Sequence, residues 1–165
     1  MFQFASSRAS LLGAFAVAAL LGAPSLASAG SCPADKIGID VRKPDPTPAS
    51  GVTDTVITTM DVSKEPAHIE GRLFRLRRLV VQPGGVVPWH SHGDRPALIT
   101  IVSGEVYEYA STCSVPILHK AGDSTAETHT TAHWWKNTGK VPVVILSADL
   151  LPVKGGAPMM DEHMM

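Results

Sequence analysis

The sequence predicts an all-β fold, and three observations support this. From residue 52 onward the chain consists of β-branched and apolar runs, each about 5 to 10 residues long, the usual length of strands. Turn residues separate the runs, and no segment keeps the 3.6-residue period of an amphipathic helix. With 165 residues in total, the chain can bury one sizeable core. We therefore expect a single β-sandwich or barrel.

Six runs are predicted to be strands. In chain order they are 52–60, 72–81, 97–102, 105–110, 115–121 and 141–150. Turns are expected between them, notably at Pro83-Gly84-Gly85 and Ser103-Gly104. The run 72–81, RLFRLRRLVV, mixes arginines with apolar residues, which is typical of a strand with solvated arginine tips.

The first 29 residues have the pattern of an export signal. Arg8 gives a positive start, residues 11–21 are uncharged and apolar, and residues 27–29 form an A-x-A cleavage signal. The apolar stretch is about half of the roughly 20 residues that cross a bilayer, so a membrane span is not expected. We expect a signal peptide over 1–29 and a periplasmic or secreted mature protein.

Three further segments are expected after the signal. Residues 30–51 are rich in proline and should form an extended arm, because proline sustains neither a helix nor a central strand. Residues 52–153 should form the barrel. Residues 154–165 contain four methionines and one histidine, and are either a flexible tail or a segment that captures copper.

The chain has two cysteines, Cys32 and Cys113. An exported protein meets an oxidising compartment, where a disulfide between them would persist. The alternative is lipidation of Cys32, because the residues before it loosely match a lipoprotein signal.

Charge argues against a nucleic-acid partner. The formal net charge is −1, and the basic residues are not interleaved with aromatic ones. A protein that binds nucleic acid would need a basic patch or stripe.

Two stretches carry candidate metal ligands. In GGVVPWHSH, residues 84–92, His90 and His92 are two apart and should face the same side of a strand. In GDSTAETHTTAHWWKN, residues 122–137, a third histidine, His133, could reach the same point inside a closed barrel. Neutral imidazoles bind Fe, Zn, Ni and Cu, and three of them leave a coordination position open. Trp89, Trp134 and Trp135 flank these histidines in the sequence, and their bulk could keep the pocket dry.

These stretches resemble the two motifs of the cupin superfamily. The residues in register are Gly84, His90, His92 and Gly104 in the first motif, and Gly122, His133 and Asn137 in the second. The resemblance implies a double-stranded β-helix, a jelly-roll-like barrel, with a metal on the three histidines. The sequence departs from the family at Ala97, which stands where the first motif has a glutamate, and at Thr128 and Thr130, which replace a proline and a glycine.

Three other residues are candidates for roles in catalysis or binding. His129 is a fourth ligand, a proton-transfer group or a solvated loop residue. Glu127 is a carboxylate that could offset the charge of the metal. Arg95 leads to the vacated glutamate position and is either an anchor for a small anion, left without its carboxylate partner, or a surface arginine. Outside both motifs, His119 is expected to be an ordinary surface or packed residue.

The sequence thus predicts an exported cupin-domain protein that holds Fe, Zn, Ni or Cu through three histidines and binds or acts on a small anionic molecule. Two enzymatic forms are open: oxidation of thiols with dioxygen, as in three-histidine iron cupins, or hydrolysis by a zinc-activated water. The alternatives are a non-catalytic metal- or ligand-binding protein of the envelope, and a metal-free structural or interaction cupin. A homodimer is also open, since many cupins are dimers.

Overall fold

The computed structural model describes residues 30–154 and 157–158. The predicted signal peptide and the methionines of the predicted tail lie outside these residues. The described part consists of strands and one short 3₁₀ helix, Ala34–Lys36: β1 Ser50–Asp61, β2 Arg72–Ser91, β3 Ala97–Ser103, β4 Glu105–Ala110, β5 Ile117–Lys120, β6 Ser124–Glu127, β7 Ala132–Lys136, β8 Val143–Lys154 and β9 Ala157–Pro158. Within those residues, no helix has the length and apolar character needed to cross a membrane.

One antiparallel sheet contains these strands and confirms the all-β prediction. Its order is β5-β4-β7-β2-β8-β3-β6, with β1 added on β2 and β9 on β8. The longest uninterrupted pairing joins β2 to β8, from Arg72 opposite Pro152 to Val81 opposite Val143. The sheet curls so that inward-facing residues of five strands share one core.

Strand β2 continues through the predicted turn at residues 83–85, so that turn prediction was wrong. The strand is irregular there: its neighbour β1 pairs with Val81 and Val86 and skips the residues between them. A Cβ on Gly85 would lie 2.8 Å from the carbonyl oxygen of Gln82, so the close approach of the backbone requires glycine. The irregularity divides β2 into a first part paired with β8 and a last part paired with β7.

The interior of the barrel changes from apolar to polar along its length. Alternate residues of β8 show this most simply, because Val143 and Ile145 face inward in the apolar core, whereas Ser147 and Asp149 face inward further along. The buried apolar cluster consists of Leu79, Val81, Val87, Ala97, Ile99, Ile101, Val106, Trp135, Val143 and Ile145. The site described below lies where this cluster meets the polar residues.

A disulfide holds the N-terminal arm to the barrel. Cys32 is bonded to Cys113, with 5.8 Å between the two Cα atoms, which confirms the expected bridge. Ile37 also pairs with Cys113 through an isolated β-bridge. With its sulfur in the disulfide, Cys32 is not the lipidated cysteine of the alternative interpretation.

Candidate metal centre

Three histidines meet inside the barrel. His90 lies near the end of β2, directly opposite His133 on β7, and His92 follows just after the end of β2. Because side chains alternate along an extended chain, His90 and His92 point to the same side. All three are buried, with 7% of His90 and 1% each of His92 and His133 exposed. The structure therefore brings together the three residues that the sequence selects as ligands.

Their Nε2 atoms form a nearly equilateral triangle. The separations are 3.1 Å from His133 to His90, 3.1 Å from His133 to His92, and 3.2 Å from His90 to His92. A point about 2 Å from all three nitrogens, the usual length of a bond from zinc to histidine, lies about 1 Å outside their plane. The group could thus hold one transition-metal ion.

Hydrogen bonds on the other ring nitrogens fix which atoms are available to bind. His90 Nδ1 donates to the carbonyl of Pro88 at 2.9 Å, and His92 Nδ1 donates to the carbonyl of Arg95 at 2.8 Å. A carbonyl oxygen only accepts, so Nδ1 carries the proton and Nε2 presents a lone pair in the neutral ring. Lone pairs that converge at 3.1 to 3.2 Å repel one another unless a cation lies between them. The donor set therefore fits a bound metal.

Burial keeps two of these imidazoles neutral. It lowers the pKa of His92 to about 3 and, together with the nearby charges of the other two histidines, lowers that of His90 well below its ordinary value. Neutral imidazoles need no deprotonation before they bind a metal.

His133 differs because a carboxylate lies behind it. Its Nδ1 donates to Glu108 Oε1 at 2.6 Å, and the other oxygen of Glu108 accepts from His119 Nε2 at 2.7 Å. Burial alone would lower the pKa of His133, but the hydrogen bond to Glu108 and its charge raise it. A carboxylate behind a ligating histidine orients the ring and makes it a stronger ligand.

Sequence reasoning missed both Glu108 and His119. His119 is 1% exposed and is packed, as expected, but its bond to Glu108 makes it part of the site. A signal was present, since Glu108 alternates with Val106 and Ala110 on the inward face of β4. A carboxylate on a buried face needs a partner, and a histidine is one of the few side chains that supplies it.

Glu127 lies near Nδ1 of His133 and not near the Nε2 that faces the other two histidines. Its Oε2 is 3.6 Å from His133 Nδ1, on the same side of the ring as Glu108. On strand β6 it pairs with Ala97, the position where the family has its glutamate. Burial raises the pKa of Glu127. The structure thus places a carboxylate next to the vacated position, behind the ligand histidine.

His129 is exposed in the turn between β6 and β7 and is not part of the three-histidine group. Its exposure to solvent agrees with a solvated loop residue, one of the three roles considered for it. A role as fourth ligand or proton-transfer group has no support from a contact in the structure.

Arg95 is buried, with 5% of its surface exposed, and its Nη1 lies 2.8 Å from Asp149 Oδ2. The expectation that Arg95 lacks a carboxylate partner was therefore wrong. Asp149 lies opposite Ala97 in the pairing of β3 with β8, so it supplies a carboxylate beside the position that the family's glutamate would occupy.

Asp149 is the centre of a buried ionic network. It accepts from Arg75 Nε at 3.0 Å and from Arg75 Nη2 at 2.8 Å, and Arg77 Nε lies 3.6 Å away. Arg77 Nη1 also donates to Asp54 at 2.7 Å. The expectation of solvated arginine tips was wrong for Arg77, which is 5% exposed, because these carboxylates allow its charge to be buried.

A small cavity adjoins the three histidines. Its volume is about 20 Å³, and its walls include Arg77, Ser147 and Trp135 together with Leu79, Val87, Ile99 and Ile145. Trp135 Nε1 donates toward His133 Nε2 at 3.2 Å. Of the three tryptophans, Trp135 is the one that lines this cavity, whereas Trp134 stacks on Tyr109 with 3.9 Å between ring centroids.

A curled antiparallel sheet with an inward-facing group of three histidines defines a β-barrel protein with a candidate metal site. The family model described as "Cupin domain" matches residues 77–149, which include all three histidines. Residues 77–149 of the chain therefore form a cupin domain.

Similar solved structures agree with this fold. A conserved protein with a double-stranded β-helix domain from Klebsiella pneumoniae is 18% identical, with a TM-score of 0.50 over 72% of this chain and 90% of that chain. The cupin domain of Schizosaccharomyces pombe Cnp3 is 13% identical, with a TM-score of 0.50 over 61% of this chain and 65% of that chain. These likenesses concern the fold alone. No curated protein matches the sequence.

Proposed function

We propose that this chain is an exported cupin that binds one divalent transition metal through His90, His92 and His133 and presents that metal to a small anionic molecule. The observation that carries the proposal is the triangle of Nε2 atoms at 3.1 to 3.2 Å, inside a buried pocket. Three protein ligands with an open side are typical of sites where a metal meets a substrate or a water.

The ligand set favours some metals over others. All three ligands are imidazoles, and the position of the family's glutamate is filled by Ala97. Imidazole suits Fe, Ni, Cu and Zn, whereas Mn and Mg favour carboxylate oxygens. We expect the protein to bind Fe, Ni, Cu or Zn and to discriminate against Mn and Mg.

Charge supports an anionic ligand. A divalent ion on three neutral imidazoles keeps its charge within the site, and Glu108 offsets part of it from behind His133. When bound, the metal supplies a Lewis acid and lowers the pKa of a water bound to it. The chain's own contribution is to hold the three nitrogens in place and to exclude bulk water with Trp135, Val87 and Ile99.

Export is supported by two independent observations. The first 29 residues have the pattern of a signal peptide. The disulfide between Cys32 and Cys113 is of the kind that persists in periplasmic or extracellular proteins.

The test is metal analysis of protein purified without added metal, followed by reconstitution and competition. We expect one ion per chain, and we expect zinc to displace manganese. His92→Gln should abolish stoichiometric binding, while His68→Gln, at an exposed position outside the pocket, should leave it intact. Failure to bind any metal after reconstitution would favour a structural or interaction cupin instead.

A further inference from the structure

We propose that the cavity beside the three histidines is a receptor for a small carboxylate or similar oxyanion, and that Arg77 and Ser147 anchor it. This inference rests on the proposed function, because the metal would hold the other end of the same ligand. It assigns the anchoring role to Arg77 instead of Arg95, which does not line the cavity.

The two anchors lie next to each other at the wall of the cavity. Arg77 on β2 is directly opposite Ser147 on β8, and Ser147 also pairs with Ile99 on β3. Paired residues of neighbouring antiparallel strands face the same side, so the guanidinium and the hydroxyl both point into the barrel. Both line the cavity that also contains the three histidines.

Each anchor has a buried polar atom that makes no hydrogen bond. Among the described residues, Arg77 Nε and Ser147 Oγ make no hydrogen bond, although the two residues are 5% and 1% exposed. An unsatisfied buried polar group is unfavourable, so such groups in native proteins usually meet a ligand or an ordered water. Arg77 Nη1 donates to Asp54 at 2.7 Å, which fixes the guanidinium, and Arg77 Nε lies 3.6 Å from Asp149 Oδ2, beyond hydrogen-bond distance.

The polar atoms of the cavity call for an acceptor with negative charge. Arginine and the indole of tryptophan carry only donors, and a serine hydroxyl can donate as well. Trp135 Nε1 now donates toward His133 Nε2, the atom that a metal would occupy, so on metal binding this N–H becomes available to the ligand. Three donors beside a divalent ion match the oxygens of a carboxylate or a comparable oxyanion.

The cavity limits the ligand to a very small one. Its volume is about 20 Å³. Since one water needs about 10 to 15 Å³ on this measure, there is room for only a few heavy atoms. Ile145 and Ile99 form apolar walls that would exclude a longer chain or a second carboxylate. Formate therefore fits the cavity better than acetate, and oxalate fits it less well than formate.

The test is calorimetric titration of the protein with formate, acetate and oxalate, in both zinc-loaded and metal-free forms. In the zinc-loaded wild type we expect formate to bind more tightly than acetate or oxalate. Ser147→Ala and Arg77→Lys should each weaken formate binding by at least about tenfold, the usual effect of losing a charge-assisted hydrogen bond, and leave zinc affinity unchanged. Arg75→Lys is the matched control, because Arg75 belongs to the same ionic network but does not line the cavity.

A fourth variant tests the size limit separately. Ile145→Val removes one methylene from the wall and should raise acetate affinity relative to formate by severalfold. If Arg77→Lys does not fold, Ser147→Ala and Ile145→Val decide the question. Formate affinity that is equal in wild type and Ser147→Ala would overturn the inference, since Ser147 would then not anchor the bound anion. If zinc fails to bind but metal-free protein still binds formate in a Ser147-dependent way, the proposed metal function fails and the anion site stands.

Discussion

Glu108 and His133 are joined across strands β4 and β7 by a hydrogen bond of 2.6 Å, and the second oxygen of the same carboxylate binds His119. Glu108 is only 3% exposed, and hydrogen bonds from both histidines satisfy its buried carboxylate. Burial alone would raise the pKa of Glu108, but these hydrogen bonds and the histidine charges lower it. Glu108 therefore stays ionised behind the candidate ligand.

We expect Glu108→Gln to weaken zinc binding by about 10- to 100-fold, the usual effect of losing a carboxylate behind a ligating histidine. The amide keeps the size of the side chain but removes the charge, and its single acceptor oxygen can no longer accept from both His133 and His119. Calorimetric titration with zinc measures the change. Glu105→Gln, at the exposed start of the same strand, is the control and should bind zinc like the wild type. Equal affinities for both variants would reduce Glu108 to a packing residue.

The fold and the three histidines could be predicted because their signals are local. Runs of strand length and the turns between them are visible directly in the sequence. His90 and His92 share a face because they are two residues apart. Strands β6 and β7 are not among the six predicted strands, because they are only four and five residues long and polar residues occupy some inward positions.

The polar support of the site could not be predicted, because its partners are distant in sequence. Arg75 and Asp149 are 74 residues apart, and Glu108 and His133 are 25 apart. An arginine on a strand is usually solvated, and only the pairing of β2 with β8 shows that carboxylates are available to bury it. Asp149 is likewise far from Ala97 in the sequence, so its position opposite Ala97 could not be predicted.

We expect the double variant Cys32→Ser, Cys113→Ser to lose stability. The bridge closes a loop with a sequence separation of 81. In the chain-entropy model a loop of this length contributes about 4 kcal/mol by restricting the unfolded chain. Urea denaturation under oxidising conditions measures the loss, and wild type treated with a reductant should behave like the variant. If the midpoints of wild type and variant coincide, the arm contributes no such stability.

Acid should destabilise the protein partly through Asp149. Burial alone would raise the pKa of Asp149, but the hydrogen bond from Arg75 and the charges of Arg77 and Arg95 lower it in the folded state. The folded state thus binds fewer protons than the unfolded state. The stabilisation is complete above the unfolded pKa of about 3.9 and is lost as pH falls through the lower, folded value.

The variant Asp149→Asn should be less stable by about 3 to 5 kcal/mol near neutral pH, because it leaves buried arginines without their carboxylate. Its stability should also fall less steeply than that of wild type on acidification. Chemical denaturation at a series of pH values measures both effects. Asp94→Asn is the control, since Asp94 pairs with Arg72 at the surface and should contribute less than about 1 kcal/mol. Parallel pH profiles for wild type and Asp149→Asn would contradict the assignment.

Zinc should raise the melting temperature of the protein, and the effect should depend on His92 but not on His129. A metal that binds only the folded state stabilises it by about 2.7 kcal/mol at a free concentration 100 times its Kd, which is several degrees for a domain of this size. His92→Gln removes one corner of the Nε2 triangle and should abolish the shift. His129→Gln should retain it, because His129 lies exposed in the turn outside the three-histidine group. Differential scanning calorimetry with and without zinc gives the result. Loss of the shift in His129→Gln would mean that the turn folds over the metal and supplies a fourth ligand.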